Sequence, residues 1–561
     1  ILIMGDEKKP LLAALNGSRL HYFEPSKYAK SQEKNHSFSW TNINAYVPGV
    51  SRSGYFKKRT IQHPKHILKN VNGMAVSGEC LAIMGASGAG KTTMLNALTF
   101  RNQGNLNISG IIALDNKLLT PHTLTNVSAY VQQEDLFVGT LTVKETLIFQ
   151  SKVRMSGDLS RYERMCRVNQ VLFELSLQKC ADTLVGIPGR IKGISGGEKK
   201  RLAFACEILT DPMVMFCDEP TSGLDSFMAQ QVVAVMQQMA RSGKIIISTI
   251  HQPSSPIYAM FDKVMFMAEG RAAFLGTADE ANQFFQQLGF HVPMNYNPSD
   301  FYIRTLAILP SEEAKCMMRI KKICDAFEKS ATGQKLKAIG NDVISAPFPV
   351  NISKGKYKVG WFTQFFALSW RSLRSTIREP ALVKVRLIQT VFVGLLLGAI
   401  YWDAHAWMDM NGAIFLFLTN MTFQNVFAVI NVFCGELPIF FKEHFDGMYR
   451  VDTYFLSKTL VELPLFMLYP FLFTAVCYYL IGLDPSFYKF LITCGITILV
   501  AQAATSFGYM ISCLSRDTSM ALSIAPPLIV PFMLFGGFFL NNASVPFFFR
   551  VAQMVILVFV R

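Results

Sequence analysis

The residues most able to do chemistry begin with Gly85-Ala86-Ser87-Gly88-Ala89-Gly90-Lys91-Thr92-Thr93, which have the spacing G-x-x-x-x-G-K-[ST]. Glycines so placed let backbone N–H groups turn inward around phosphate oxygens, and a helix N-terminus adds a favourable dipole. Lys91 is spaced to reach β- and γ-phosphates, and the Thr92 hydroxyl to hold Mg²⁺. The motif carries meaning only between a strand and a helix. An apolar run, residues 80–84, precedes it, and residues 94–98 read as a helix start. The alternative is a glycine-rich turn that only joins strand to helix.

Further groups follow in order. Residues 130–137 run from an apolar strand end into a polar turn carrying Gln133, a side chain able to touch Mg²⁺ and sense a γ-phosphate. Thr142 and Glu145 then stand at capping-box spacing, opening a helix. Ser195-Gly196-Gly197-Glu198 opens another helix and forms a second anion cradle. Two cradles roughly a hundred residues apart in one chain suggest that one faces a partner's nucleotide. The apolar strand 213–217 ends in Asp218-Glu219-Pro220. Asp218 can bind Mg²⁺ through water, and Glu219 can orient an attacking water as general base. A turn containing Asp225 follows, and the strand 245–250 ends at His251, placed to hydrogen-bond a γ-phosphate. Singly, each reads as a surface acid, a solvated amide or a structural imidazole. As an ordered set, each ending a strand or starting a helix, they read as one nucleotide site. Thr92, Gln133 and Asp218 are its metal-binding candidates.

The elements that must hold this set form an α/β domain, but 561 residues exceed a single core. Charges are frequent to about residue 380, and long apolar runs dominate beyond it, so the second half reads as helical membrane spans. The net charge of +15 would suit nucleic acid or an anionic surface. Much of it sits beside the membrane half, in Lys354, Lys356, Lys358, Arg371, Arg374, Arg378, Lys384 and Arg386, as expected of cytoplasmic flanks. No patterned basic-aromatic module argues for nucleic acid. The eleven cysteines form no C-x-x-C pair; nearly all read as buried small apolar side chains, and Cys80, Cys166, Cys180, Cys206 and Cys217, in the charged half, are expected in a reducing cytosol. Ile1-Leu2-Ile3 is too short for the apolar core of a secretory signal, so none is expected there, and Lys9 disfavours myristoylation at Met4-Gly5.

In chain order, residues 1–36 are expected to be disordered, 37–310 to form the nucleotide-binding domain, and 311–360 to be a linker containing Pro347 and Pro349. Tyr46 in the first strand is a candidate for adenine stacking, the alternative being a packed strand tyrosine. Residues 361–380 suit an amphipathic helix on the inner membrane surface, with Phe362, Phe365, Phe366 and Leu368 at helical spacing and arginines between. Residues 381–561 hold five recognisable spans, at 383–402, 412–433, 459–481, 488–513 and 519–540, with a charged segment at 441–451. Asn420, Gln424, Asn425, Asn431 and Gln502 lie inside spans and are expected to face protein or a cavity.

Together these residues resemble the nucleotide-binding domain of ATP-binding cassette (ABC) transporters. Residues 85–93 match Walker A, Gln133 the Q-loop, 194–201 the signature motif, 214–219 Walker B, 222–225 the D-loop and His251 the switch histidine. A cassette ahead of the membrane half marks the G subfamily of half-transporters. The stretches 130–137, 414–427 and 534–541 are similar to its white group, insect transporters of eye-pigment precursors, and the similarity runs from about 65 to about 548.

The resemblance implies a P-loop α/β ATPase followed by an α-helical transmembrane domain, with ATP and Mg²⁺ as cofactors. Two cassettes close head to tail, so Ser195-Gly196-Gly197-Glu198 would complete the partner's site. The partner would be another G-subfamily half-transporter, with a homodimer as the alternative. The cargo would be a small planar metabolite, tryptophan- or guanine-derived. The membrane would be that of an intracellular vesicle or pigment granule, or the plasma membrane, with the cassette cytosolic. Asn420 and Phe423, an i, i+3 pair, and Met533 would line the substrate path, and Phe538-Phe539 would plug its exit. Segment 441–451, with Glu443, matches the coupling helix. The family has six spans; residues 547–560 are broken by Arg550 and too short to cross, so a fragment or a misread 3′ end is expected. The rival readings are a catalytically silent subunit, which Lys91, Glu219 and His251 argue against, a soluble ATPase of the same superfamily acting on nucleic acid or ribosomes, which the five apolar spans argue against, and a truncated product that no longer transports.

Overall fold

The structure is a computed structural model; it describes residues 36–48, 51–54, 57–61, 64–101, 106–310, 312–340, 342–347, 357–402 and 407–535. The expected disordered segment up to residue 35, Phe538, Phe539 and the stretch 547–560 lie outside these residues.

Apolar strands that must be buried on both faces build the centre of the cassette. Its six-stranded sheet has the order Arg271–Gly276, Lys263–Ala268, Cys80–Gly85, Ile245–Thr249, Val214–Asp218, Ser128–Val131. All are parallel except the edge strand Arg271–Gly276. Every residue of Cys80–Gly85, Val214–Asp218 and Ile245–Thr249 is buried. Register places Thr249 opposite both Ile83 and Asp218, so three chain segments leave the sheet along one carboxyl edge. Such edges are where open α/β sheets place ligands.

A second sheet has the order Ile344–Pro347, Lys117–Leu118, Asn107–Leu114, Ser37–Val47, Lys65–Val76. Phe38 on it meets Phe216 edge-on at 5.5 Å, so both sheets share one core.

The stretch 311–360 is not a simple linker. It contains the helices Glu313–Lys329 and Ala331–Ile339 and the strand Ile344–Pro347, which pairs with Lys117–Leu118. Cys316, Ile320, Ile323, Cys324 and Phe327 are buried along one face of the longer helix, while Lys321 and Lys322 are exposed. That 3.6-residue period is masked when only the charged composition is read.

In the membrane half, Pro380–Ile400, Trp407–Phe445, Val451–Leu480 and Phe487–Leu514 are long and apolar enough to cross a bilayer, and Thr518–Leu534 is a shorter apolar helix. Small residues let them approach. A Cβ on Gly398 would stand 2.6 Å from the Cβ of Leu480, and one on Gly508 would stand 3.1 Å from the carbonyl of Val426. Trp407–Phe445 has 39 residues, ~58 Å of helix, against ~30 Å of hydrocarbon. It therefore outruns the expected span 412–433 and carries Lys442 and Glu443 on its last turn. Gly447, at φ +65°, turns the chain, and the next helix begins at Val451 rather than 459. The charged segment 441–451 is thus the last turn of one long helix, a tight turn over 446–450 and the first residue of the next helix.

The helix Trp361–Ile377 exposes Phe362 and Phe366 as an interfacial helix would, but buries Arg371. The basic flank is therefore only partly solvated.

Candidate nucleotide site and its link to the membrane helices

The phosphate loop needs glycine at defined points. A Cβ on Gly85 would lie 2.3 Å from the carbonyl oxygen of Met267, and Gly88 and Gly90 hold φ of +80° and +98°. Gly90 is the N-cap of the helix Lys91–Leu98. Lys91 is buried, and its Nζ donates to the carbonyls of Gly85 at 2.9 Å and Ala86 at 3.1 Å. Burial lowers its pKa, while Glu219 and Asp218 pull the other way. Ala86, Ser87, Ala89, Thr92 and Thr93 complete the loop and first turn, with Ser87 and Thr92 exposed.

Asp218 is buried and held from three sides. Thr249 Oγ1 donates to Oδ1 at 2.6 Å, Thr92 Oγ1 reaches the same oxygen at 3.5 Å, and the Tyr130 hydroxyl lies 3.3 Å from Oδ2. The backbone N–H of Glu219 donates to Thr249 Oγ1 at 2.9 Å, so one threonine positions both acids. Glu219 has φ +45°, a strained setting that turns its side chain out of the strand line. Gln133 Nε2 donates to Glu219 Oε2 at 2.8 Å. Lys91, Thr92, Gln133, Asp218 and Glu219 thus converge. Thr92, Gln133 and Asp218 offer only hard oxygen donors, which fits Mg²⁺ shared with phosphates. His251 stands exposed two residues beyond Thr249, with no hydrogen bond to the others among the described residues.

Ser195 caps the helix Gly196–Ile208 through a capping box with Glu198: Ser195 N–H donates to Glu198 Oε2 at 2.8 Å, and Glu198 N–H to Ser195 Oγ at 3.3 Å. The Ser195 amide holds the Glu198 carboxyl below its ordinary range. Among the described residues, no hydrogen bond joins Ser195, Gly196, Gly197 or Glu198 to the phosphate loop. A Cβ on Gly197 would stand 1.9 Å from Met228 Cε. Lys200 on the same helix is buried, donates to the Gln132 and Gln133 carbonyls at 3.3 and 2.8 Å, and pairs with Asp135 at 3.2 Å. Asp225 caps the helix Ser226–Arg241. Tyr46 is exposed and stacks on His66 at 4.0 Å.

Sequence reasoning passed over Thr249, Lys200 and the contacts of Tyr130. Its only available signal for the first was a hydroxyl ending a buried apolar strand.

The cassette meets the membrane half through the helix Val143–Arg154, whose capping box of Thr142 and Glu145 is present. Glu145 also receives Arg378 Nη2 at 2.9 Å, and Thr140 Oγ1 donates to Ser375 Oγ at 2.8 Å. Glu443 is buried against Arg371, whose Nη1 donates to Oε2 at 2.8 Å, and it accepts from the Tyr449 hydroxyl. The Arg371 guanidinium lies over the Phe149 ring at 4.3 Å, joining both halves.

In the membrane helices, Asn420 and Phe423 are half-buried; Phe423 stacks on Phe427 at 5.8 Å, beside Val426 and Ile529. Among the described residues, Asn420 Nδ2, Gln424 Nε2 and Gln502 Nε2 are buried without a hydrogen-bond partner. Met533 is half-buried near the end of Thr518–Phe535.

Two family descriptions match the two halves, "ABC transporter" over residues 68–222 and "ABC-2 type transporter" over 363–559. The chain is 50% identical over 537 residues to Protein white of Drosophila melanogaster, covering 92% of this chain and 78% of that one. It belongs to the white group of G-family ABC half-transporters. The nematode ABC transporter wht-1 of Caenorhabditis elegans is 40% identical over 531 residues, 91% of this chain and 79% of its own. Protein scarlet of Drosophila melanogaster is 33% identical over 533 residues, 93% of this chain and 79% of its own. Among solved structures, a dimeric bacterial ABC transporter cassette aligns over 43% of this chain and 98% of its own, at 23% identity and TM-score 0.35. The half-transporter is an integral membrane protein whose cassette binds a nucleotide and hydrolyses ATP to drive transport.

Proposed function

We propose that Gly85, Ala86, Ser87, Gly88, Ala89, Gly90, Lys91, Thr92 and Thr93 hold the ATP phosphates, that Thr92, Gln133 and Asp218 hold Mg²⁺, and that Glu219 is the general base with His251 beside the γ-phosphate. Bound there, Mg²⁺ would neutralise charge developing on the phosphates. The observation that carries this is the convergence of Lys91, Thr92, Gln133, Asp218 and Glu219 on one sheet edge. Glu219 takes a proton from water while Thr249 and Gln133 hold it in place. Lys91, with its ammonium among carbonyl oxygens, is poised to exchange them for phosphate oxygens. Ser195, Gly196, Gly197 and Glu198 serve the partner's nucleotide, in keeping with their self-contained hydrogen bonds.

That division of labour needs a second cassette, and another G-family half-transporter is the partner we assign. If tagged and untagged copies co-purify and transport with no other half-transporter present, a homodimer replaces this assignment. The membrane assigned is that of an intracellular vesicle or pigment granule, which fluorescence of a tagged full-length chain tests.

The cargo is a small planar metabolite, tryptophan- or guanine-derived, on a path past Asn420, Phe423 and Met533, with Phe538-Phe539 beyond. The half-buried Phe423 and, one helical turn from it, the buried Asn420 amide with no partner among the described residues support this: a ring face near an unspent donor suits a flat polar solute. Ring stacking contributes ~0.5–1.5 kcal/mol beyond burial, a factor of roughly two to ten. Phe423→Ala with the partner present should therefore keep unstimulated ATPase and lower tryptophan uptake into vesicles by about that factor. Unchanged uptake at normal expression would move the path elsewhere.

A further inference from the structure

One row of side chains runs from the nucleotide edge to the turn between two membrane helices. It starts at Asp218, whose Oδ2 lies 3.3 Å from the Tyr130 hydroxyl. The same hydroxyl lies 3.3 Å from Asn96 Oδ1, on the helix that follows the phosphate loop. With one phenolic proton and two acceptors, Tyr130 can favour either, so its bonding depends on where Asp218 and Asn96 stand. The Arg101 guanidinium lies over the Tyr130 ring, 4.3 Å from its centroid. The Arg101 backbone N–H donates to the Asn96 carbonyl at 2.9 Å, which fixes the arginine to the same helix end. Its Nη2 then pairs with Asp446 Oδ1 at 2.6 Å, and the Asp446 side chain is only 6% exposed. Asp446 sits in the tight turn between Trp407–Phe445 and Val451–Leu480.

We infer that Tyr130 and Arg101 are positioning residues linking the setting of Asp218 to that of the Asp446 turn, so that nucleotide engagement reaches the two membrane helices through this row. The inference rests on the assignment of Asp218 to the nucleotide–Mg²⁺ site. The row differs from the Arg371–Glu443 contact, which reaches the flank of the helix Val143–Arg154 and not the side chains around Asp218. A charge-assisted pair and a cation–ring contact in series transmit a displacement because both weaken steeply with separation and angle. Neither Arg101 nor Asp446 touches a group assigned to catalysis.

The test uses the full-length chain with its partner in lipid discs. Hydrogen exchange at the turn 446–450 is followed with and without Mg²⁺ and a non-hydrolysable ATP analogue. In the wild type the analogue is expected to change exchange there about fivefold or more. Asp446→Asn and Tyr130→Phe are each expected to abolish that response, and the double variant to do no more than either alone, as links in series require. Arg101→Lys keeps charge but loses the planar fork and stack, and should reproduce the loss if the first two variants express poorly. Unstimulated ATPase should stay within about twofold in the Asp446→Asn and Arg101→Lys proteins, a readout that a general folding defect would lower. A nucleotide response at the turn that survives in these variants, or losses that add, would overturn the inference. A separate arm protects the distinction: Asp218→Asn should remove the Mg²⁺ dependence of fluorescent-ATP binding. Failure there rejects the site assignment, whatever the turn does.

Discussion

Glu219→Gln in the assembled transporter is expected to leave ATP binding near wild type and to slow hydrolysis ~10²–10⁴-fold, the usual share of a positioned general base. The substitution is nearly isosteric. Gln133 Nε2 now donates to Glu219 Oε2, and the replacing amide still presents an oxygen to it. The backbone anchor, Glu219 N–H to Thr249 Oγ1, is untouched, so geometry survives while the proton acceptor is lost. Removing one negative charge beside Lys91 also eases approach of a polyphosphate, so nucleotide affinity should hold or rise slightly. The measurement is single-turnover hydrolysis by the purified pair, with the binding constant taken separately. A rate within about threefold of wild type at equal occupancy would take the role away from Glu219. If two cassettes close around ATP as proposed, accumulation of an ATP-loaded dimer is the accompanying sign.

The parts of this molecule that were legible are those where a local rule dictates the residue. Gly88 and Gly90 occupy left-handed backbone that other residues strain to adopt, so the phosphate loop announces itself. Thr142 with Glu145, and Ser195 with Glu198, are capping boxes whose spacing alone marks a helix start. Asp218 and His251 follow short apolar runs of the length and composition of strands buried in a parallel sheet. What stayed hidden depends on register between distant segments. Thr249 becomes the clamp on Asp218 because two strands pair in one register and not its neighbour. Arg371 reads as one cation in a basic flank, and only the meeting of two helices shows that it is buried. The charged outer face of the helix Glu313–Lys329 masks its apolar stripe, and Glu436, Lys442 and Glu443 break the apolar run while the helix continues to Phe445.

Glu443→Ala is expected to destabilise the membrane half by ~3–5 kcal/mol, because it strands a buried guanidinium. The side chains of Arg371 and Glu443 are each 8% exposed, and Tyr449 donates to the same carboxylate. Without Glu443, Arg371 can neither deprotonate nor reach water; the Phe149 ring over it offsets ~1–2 kcal/mol at best. Against typical stabilities of ~5–15 kcal/mol, such a loss should show as poor yield and a clearly lower melting temperature in detergent. Glu443→Gln keeps an acceptor for Arg371 and Tyr449 and should fall between wild type and alanine. The informative comparison is the double replacement Arg371→Met with Glu443→Leu. It removes both charges, so stability should recover most of the way, as when buried pairs elsewhere are replaced by apolar residues of similar volume. If Glu443 serves coupling as well as folding, the double variant will be stable, will hydrolyse ATP, and will transport poorly. Recovery of transport along with stability would assign the pair to folding alone, and Glu443→Ala within about 1 kcal/mol of wild type would mean that water already reaches it.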